Sequence, residues 1–94
     1  MTKEERKLIN DVGAVLKALH SVNAKSKVKV EYEFFKQKAL IHWPPEIMST
    51  GNGHERMFSW EIIDALKEVS DKRSISYKIG HTDSIELVIQ IFVV

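Results

Sequence analysis

The chain contains no cysteine, which excludes disulfides, thiolate metal sites and cysteine nucleophiles and suits a reducing compartment. Glycine and proline are scarce, at four and two. Four of these punctuating residues, Pro44, Pro45, Gly51 and Gly53, crowd into one stretch. No apolar run reaches the roughly 20 residues of a membrane-spanning helix. The longest candidate, residues 85–94, is interrupted by Glu86 and Gln90. Nor does one sign of charge dominate, since the formal net charge is +1. The opening residues MTKEERKLIN are charged and lack the apolar core of a secretion leader, so a cytoplasmic protein without a membrane segment is expected.

Several functional signatures are missing as well. There is no G-x-S-x-G nucleophile elbow and no phosphate-binding G-x-x-x-x-G-K, and Gly51-Asn52-Gly53 follows no parallel-strand pattern that would make it a dinucleotide site. The four histidines, His20, His42, His54 and His81, show neither H-x-x-x-H nor H-x-H spacing, so no metal and no cofactor are expected. No pair of carboxylates has a spacing that argues for acid/base catalysis.

What remains is an ordinary globular composition, 44% hydrophobic and 29% charged over 94 residues, enough for a single domain over 1–94. Apolar residues recur at helical spacing through Leu8, Ile9, Val12, Val15, Leu16, Leu19 and Val22, which predicts a helix from about Lys3 to Val22. Thr2 and Glu5 have capping-box spacing at its start. Gly13 sits in its middle, where glycine costs about 1 kcal/mol relative to alanine, and close approach of the Trp60 indole is the suggested reason.

Residues 27–34 alternate between Val28, Val30, Tyr32, Phe34 and a charged set, predicting a strand whose aromatics are buried. Phe35 breaks the alternation, which predicts a bulge. A short apolar strand, Ala39 to Trp43, follows, and Pro44 and Pro45 end its pairing. Residues 44–57 read as a linker, and a second helix is expected from about Ser59 to Ser70. Then come a strand at Ser74 to Ile79, a hairpin loop at Gly80 to Asp83, and a last strand at Ser84 to Val94.

Offset by 47 residues, Ala18, Leu19, Val22 and Lys25 match Ala65, Leu66, Val69 and Lys72. The pattern is two α-β-β units, 1–43 and 58–94, with a possible pseudo-twofold relation. The last strand is apolar on both faces and therefore belongs inside the sheet. The expected fold is α+β, with order α-β-β-α-β-β. Two helices should pack on one face of a four-stranded, mainly antiparallel sheet ordered 1-2-4-3.

This fold carries no function of its own, so function must come from surfaces. The leading expectation is a small non-catalytic binding or regulatory module, of the accessory kind that phages and mobile elements encode. It would contact a protein partner, or a second copy in a homodimer, through Val88, Phe92 and Val94 on the sheet or through Trp43, Asn52, His54, Glu55 and Arg56 in the linker. The alternative is nucleic-acid binding by Lys25, Lys27, Lys29, Lys36 and Lys38. Nine of the 14 Lys/Arg but five of the 13 Asp/Glu lie at or before Lys38, so this half is basic. A third reading is an enzyme centred on His54, Glu55 and Arg56, which requires a concave pocket around them.

Overall fold

A computed structural model describes residues 2–22, 27–44, 46–50, 53–57, 60–82 and 86–93, with 46–50 and 53–57 described as backbone. The elements are α1 (Lys3–Val22), β1 (Lys29–Glu33), a 3-10 turn (Phe34–Lys36), β2 (Lys38–Trp43), β3 (Glu46–Thr50), β4 (Gly53–Met57), α2 (Trp60–Arg73), β5 (Ser76–His81) and β6 (Leu87–Phe92). Four strands form one antiparallel sheet in the order β1-β2-β6-β5, and β3 and β4 form a separate antiparallel pair. The four-stranded order is the expected one, with the two most apolar strands inside and the two charged ones at the edges.

Helix α1 spans the predicted range. The Thr2 hydroxyl accepts a hydrogen bond from the Glu5 amide at 3.1 Å, satisfying one of the free donors of the first turn. Its stripe Leu8, Val12, Val15 and Leu19 is fully buried, and α1 packs on β2, on β6 and against α2. Ile62 and Leu66 of α2 join the same core with Ala39, Ile41 and Trp43 from β2 and Leu87, Ile89 and Ile91 from β6. Register explains which side chains share this face. Ile41, Ile89 and Ile79 are cross-strand partners, as are Ala39, Ile91 and Tyr77, and residues directly opposite in a ladder point the same way.

A groove on the helical layer and the strand directions show how the helices run. Arg73, at the end of α2, lines that groove with Lys3, Arg6 and Lys7 of the first turns of α1. Helix α1 leads into β1 and α2 into β5, and these two strands run in opposite directions in the sheet. The two helices are therefore antiparallel, as a pseudo-twofold pair of α-β-β units requires. Helix α2 continues past Ser70 to Arg73 because its stop signal is farther along. Ser74 takes the left-handed conformation (φ 53°), and the Ile75 amide returns to the Ser70 carbonyl at 2.9 Å, a Schellman ending.

Several expectations are corrected. The linker forms a hairpin, pairing Glu46 with Met57 through Thr50 with Gly53. Two residues, Gly51 and Asn52, separate the ends of that ladder, and Gly-Asn is among the short sequences that favour two-residue hairpins. The bulge at Phe35 is a 3-10 turn closed by Gln37 in the left-handed region (φ 53°), whose carbonyl accepts the Val93 amide at 2.9 Å. Tyr32 and Phe34 are not buried: they stack on each other with centroids 5.2 Å apart and stay partly exposed, because β1 is an edge strand beyond the cover of the helices. Val22 is exposed in the last turn of α1. Gly80 and His81 belong to β5, and the turn is closed farther on, where the Thr82 amide donates to the Glu86 carbonyl at 3.0 Å.

Trp60 does not pack over Gly13. The indole is 75% exposed, and among the described residues nothing beyond the neighbouring residues and backbone of its own helix lies within 4 Å of where a Cβ on Gly13 would stand. Both residues sit on the outer side of the helical layer. Gly13→Ala is therefore expected to raise stability by about 1 kcal/mol, by removing backbone freedom from the unfolded chain. A urea midpoint that stays put or falls would mean that something does approach this backbone.

Candidate functional site: the open face of the sheet

Helices cover one face of the sheet, and the other face is built from the alternate residues of β1, β2, β6 and β5. Register sets three rows across it: Lys29, His42, Val88 and Gly80; Glu31, Leu40, Gln90 and Lys78; Glu33, Lys38, Phe92 and Ser76. Leu40 lies diagonally between Val88 and Phe92, within reach of both across the ladder. All three are partly buried by their neighbours. Charged groups stand mostly around this centre, on the edge strands and at the ends of the inner ones.

One polar cluster forms part of that margin. His42 Nδ1 lies 3.0 Å from Glu86 Oε1, and its Nε2 lies 3.7 Å from Glu31 Oε2. Glu31 also pairs with Lys29 at 3.0 Å. The lysine's hydrogen bond and charge, with smaller help from His42 and against a little desolvation, hold the Glu31 carboxyl below its ordinary range. That pairing stabilises the fold above the ordinary carboxylate pKa and is lost as pH falls through the lowered one. Two strands, β1 and β2, and the residue just before β6 contribute to the cluster, so an imidazole here is oriented by neighbours from separate segments. Among the described residues no group of three or more His, Cys, Asp or Glu is placed to hold a metal ion.

The predicted site residues are divided by the fold. Val88 and Phe92 lie on the open face of β6, while Val94 lies outside the described residues. Trp43 is corrected from a contact residue to a core residue. It points to the helical side, is 2% exposed, and its ring lies 5.1 Å from that of His20. His54, Glu55 and Arg56 occupy β4, opposite Ser49, Met48 and Ile47. Asn52 and Lys25 lie outside the described residues.

Lys27 and Lys36 are exposed. Lys29 and Lys38 are each met by a carboxylate on their own face, Lys38 by Glu33 at 3.4 Å. The basic stretch of sequence is thus largely balanced where it enters the sheet. Leu40, His42, Glu31 and Glu86 were not singled out as a site beforehand. Alternation along each strand marked their faces, but only the pairing of three strands makes them neighbours.

Compared with known proteins, the chain matches no family, no curated protein and no solved structure. Among the described residues no helix is long and apolar enough to cross a membrane.

Proposed function

We propose that this protein is a small non-catalytic binding module that works through the open face of its sheet, with a second copy of the chain as its partner. The observation that supports this is the uncovered apolar centre Leu40, Val88 and Phe92 on the two inner strands, with Lys29, Glu31, Glu33, Lys78 and Glu86 around it. An apolar centre with a polar rim is the anatomy of a protein interface. Charge favours self-pairing. A twofold axis along the strands sets the β1 edge of one copy over the β5 edge of the other, so that Glu31 and Glu33 face Lys78.

Four strands spaced about 4.8 Å apart, five residues long in β1 and six in the others, at about 3.4 Å per residue give a planar footprint of roughly 400 Å². That is small for a stable interface, and the association is expected to be weak, with a micromolar dissociation constant.

Sedimentation velocity between about 0.1 μM and about 100 μM, a range that brackets micromolar affinity, tests it. The wild-type boundary should move from monomer toward dimer, and Leu40→Lys should hold it at monomer without loss of secondary structure. A wild-type chain that stays monomeric throughout, or a dimer indifferent to Leu40→Lys, would remove the reading.

A further inference from the structure

The helical layer carries a second feature, on the side of the molecule opposite the open face. Lys3, Arg6, Lys7 and Asn10 fall at the three-and-four spacing of one side of α1. Together with the buried Asp11 and with Arg73 from the end of α2, they line a groove of about 490 Å³. Two of the three arginines in the sequence, Arg6, Arg56 and Arg73, meet here.

The charges do not cancel. Lys7 Nζ lies 2.7 Å from Asp11 Oδ2, and the aspartate side chain is only 5% exposed, so this pair accounts for one cation. Lys3, Arg6 and Arg73 have no carboxylate within 4.0 Å among the described residues. Three like charges around one groove repel one another unless an anion enters, and no internal ion pair explains their convergence.

Guanidinium groups present paired N–H donors that match the oxygens of phosphate, and the lysine adds a mobile point charge. Among the described residues no aromatic side chain lines the groove, so a nucleobase finds no ring there to stack on. What the groove can recognise is the charged oxygen cluster alone.

We propose that the groove between the first turns of α1 and the end of α2 is a binding site for phosphate groups, held by Lys3, Arg6 and Arg73, with Lys7 fixed by Asp11. Either a phosphodiester backbone or a small free phosphate can supply that chemistry. The site is separate from the open sheet face and does not depend on self-association.

The test uses the full chain with two probes, a labelled single-stranded oligothymidylate followed by anisotropy and inorganic pyrophosphate followed by calorimetry. With three cations engaged, log K for the oligonucleotide should fall against log salt with a slope of about −2, roughly a twentyfold weakening from about 50 to about 200 mM salt. The R6Q/R73Q double variant, whose altered positions are exposed, should reduce the slope to about −0.7, and Lys3→Gln alone to about −1.4. K27Q/K36Q, at two exposed positions away from both faces, should leave it unchanged.

Oligonucleotide binding lost in R6Q/R73Q, with pyrophosphate a poor competitor, identifies a phosphodiester ligand. Tight pyrophosphate binding lost in the same variant identifies a small phosphate. No binding of either probe at low salt overturns the proposal. So does binding that R6Q/R73Q leaves intact, or that K27Q/K36Q removes instead.

Discussion

Ile89→Ala is expected to lower stability by about 3–4 kcal/mol, within the usual range for truncating a buried isoleucine. In a domain of this size that lowers the melting temperature by about 15–30 °C, and it is a large share of the whole, since small domains are stable by only about 5–15 kcal/mol. Ile89 is the centre of the molecule in both directions. It is fully buried, lies on the inner strand β6, and has Ile41 and Ile79 as its two cross-strand partners. The loss combines the transfer of the side chain with a cavity that strands on both sides and α1 above leave little room to close.

Ile79 supplies the control. It has the same chemistry in the same row, but on the edge strand β5, and it is 40% exposed. Ile79→Ala should cost about 1 kcal/mol or less, since surrounding side chains and water can fill the space. Thermal unfolding of the two variants side by side checks the architecture. Equal losses would mean that the helices do not cover the middle of the sheet as described.

The second large effect is at Trp43. Trp43→Ala is expected to cost about 3–5 kcal/mol, the range for removing a buried aromatic side chain. Trp43→Phe should cost far less, about 1 kcal/mol, because a ring remains to pack against His20. Among the described residues the buried indole Nε1 has no hydrogen-bond partner, and removing such a group relieves a desolvation penalty of about 1–3 kcal/mol that partly offsets the smaller ring. Trp60→Phe, at a position 75% exposed, should be nearly silent.

These variants also separate two roles for Trp43. A residue that served as a contact for a partner would leave the melting temperature unchanged and weaken binding. One that anchors the end of β2 does the reverse. Acrylamide quenching offers an independent reading. With Trp60 replaced by phenylalanine, the remaining fluorescence should be protected, and with Trp43 replaced it should be readily quenched. If the indole of Trp43 proved as accessible as that of Trp60, its assignment to the core would fall.

Much of the fold could be read from local pattern. The stripe Leu8, Val12, Val15 and Leu19 sets the buried side of α1 because helical periodicity is a property of a single segment. The double-sided apolar pattern of 87–92 placed β6 inside the sheet, since an exposed edge of that composition would invite aggregation. The β3–β4 hairpin was less legible. Residues 46–50 and 53–57 carry few β-branched or aromatic residues, and strand formation in such a segment depends on the partner that pairs with it. The Gly51-Asn52 pair was the local hint.

The candidate sites were only partly legible. Val88 and Phe92 could be assigned to the uncovered face by alternation, but Leu40 as the residue between them depends on the register of β2 against β6. The cluster of His42, Glu31 and Glu86 comes from β2, β1 and the residue just before β6. Arg6 and Arg73 come from opposite ends of the chain, and the antiparallel packing of α1 and α2 unites them.

By itself the amino-acid sequence determined the two helices, the four strands of the main sheet and which strand must lie inside, because each of these follows from periodicity and composition within a few consecutive residues. The tertiary structure alone decided that Trp43 is covered while Trp60 is not, that Leu40 joins Val88 and Phe92, and that Lys3, Arg6 and Arg73 share a groove whose one carboxylate, Asp11, is taken by Lys7. Such neighbours are fixed by strand register and helix packing, and a shift of one residue in either would separate them while leaving every local pattern unchanged.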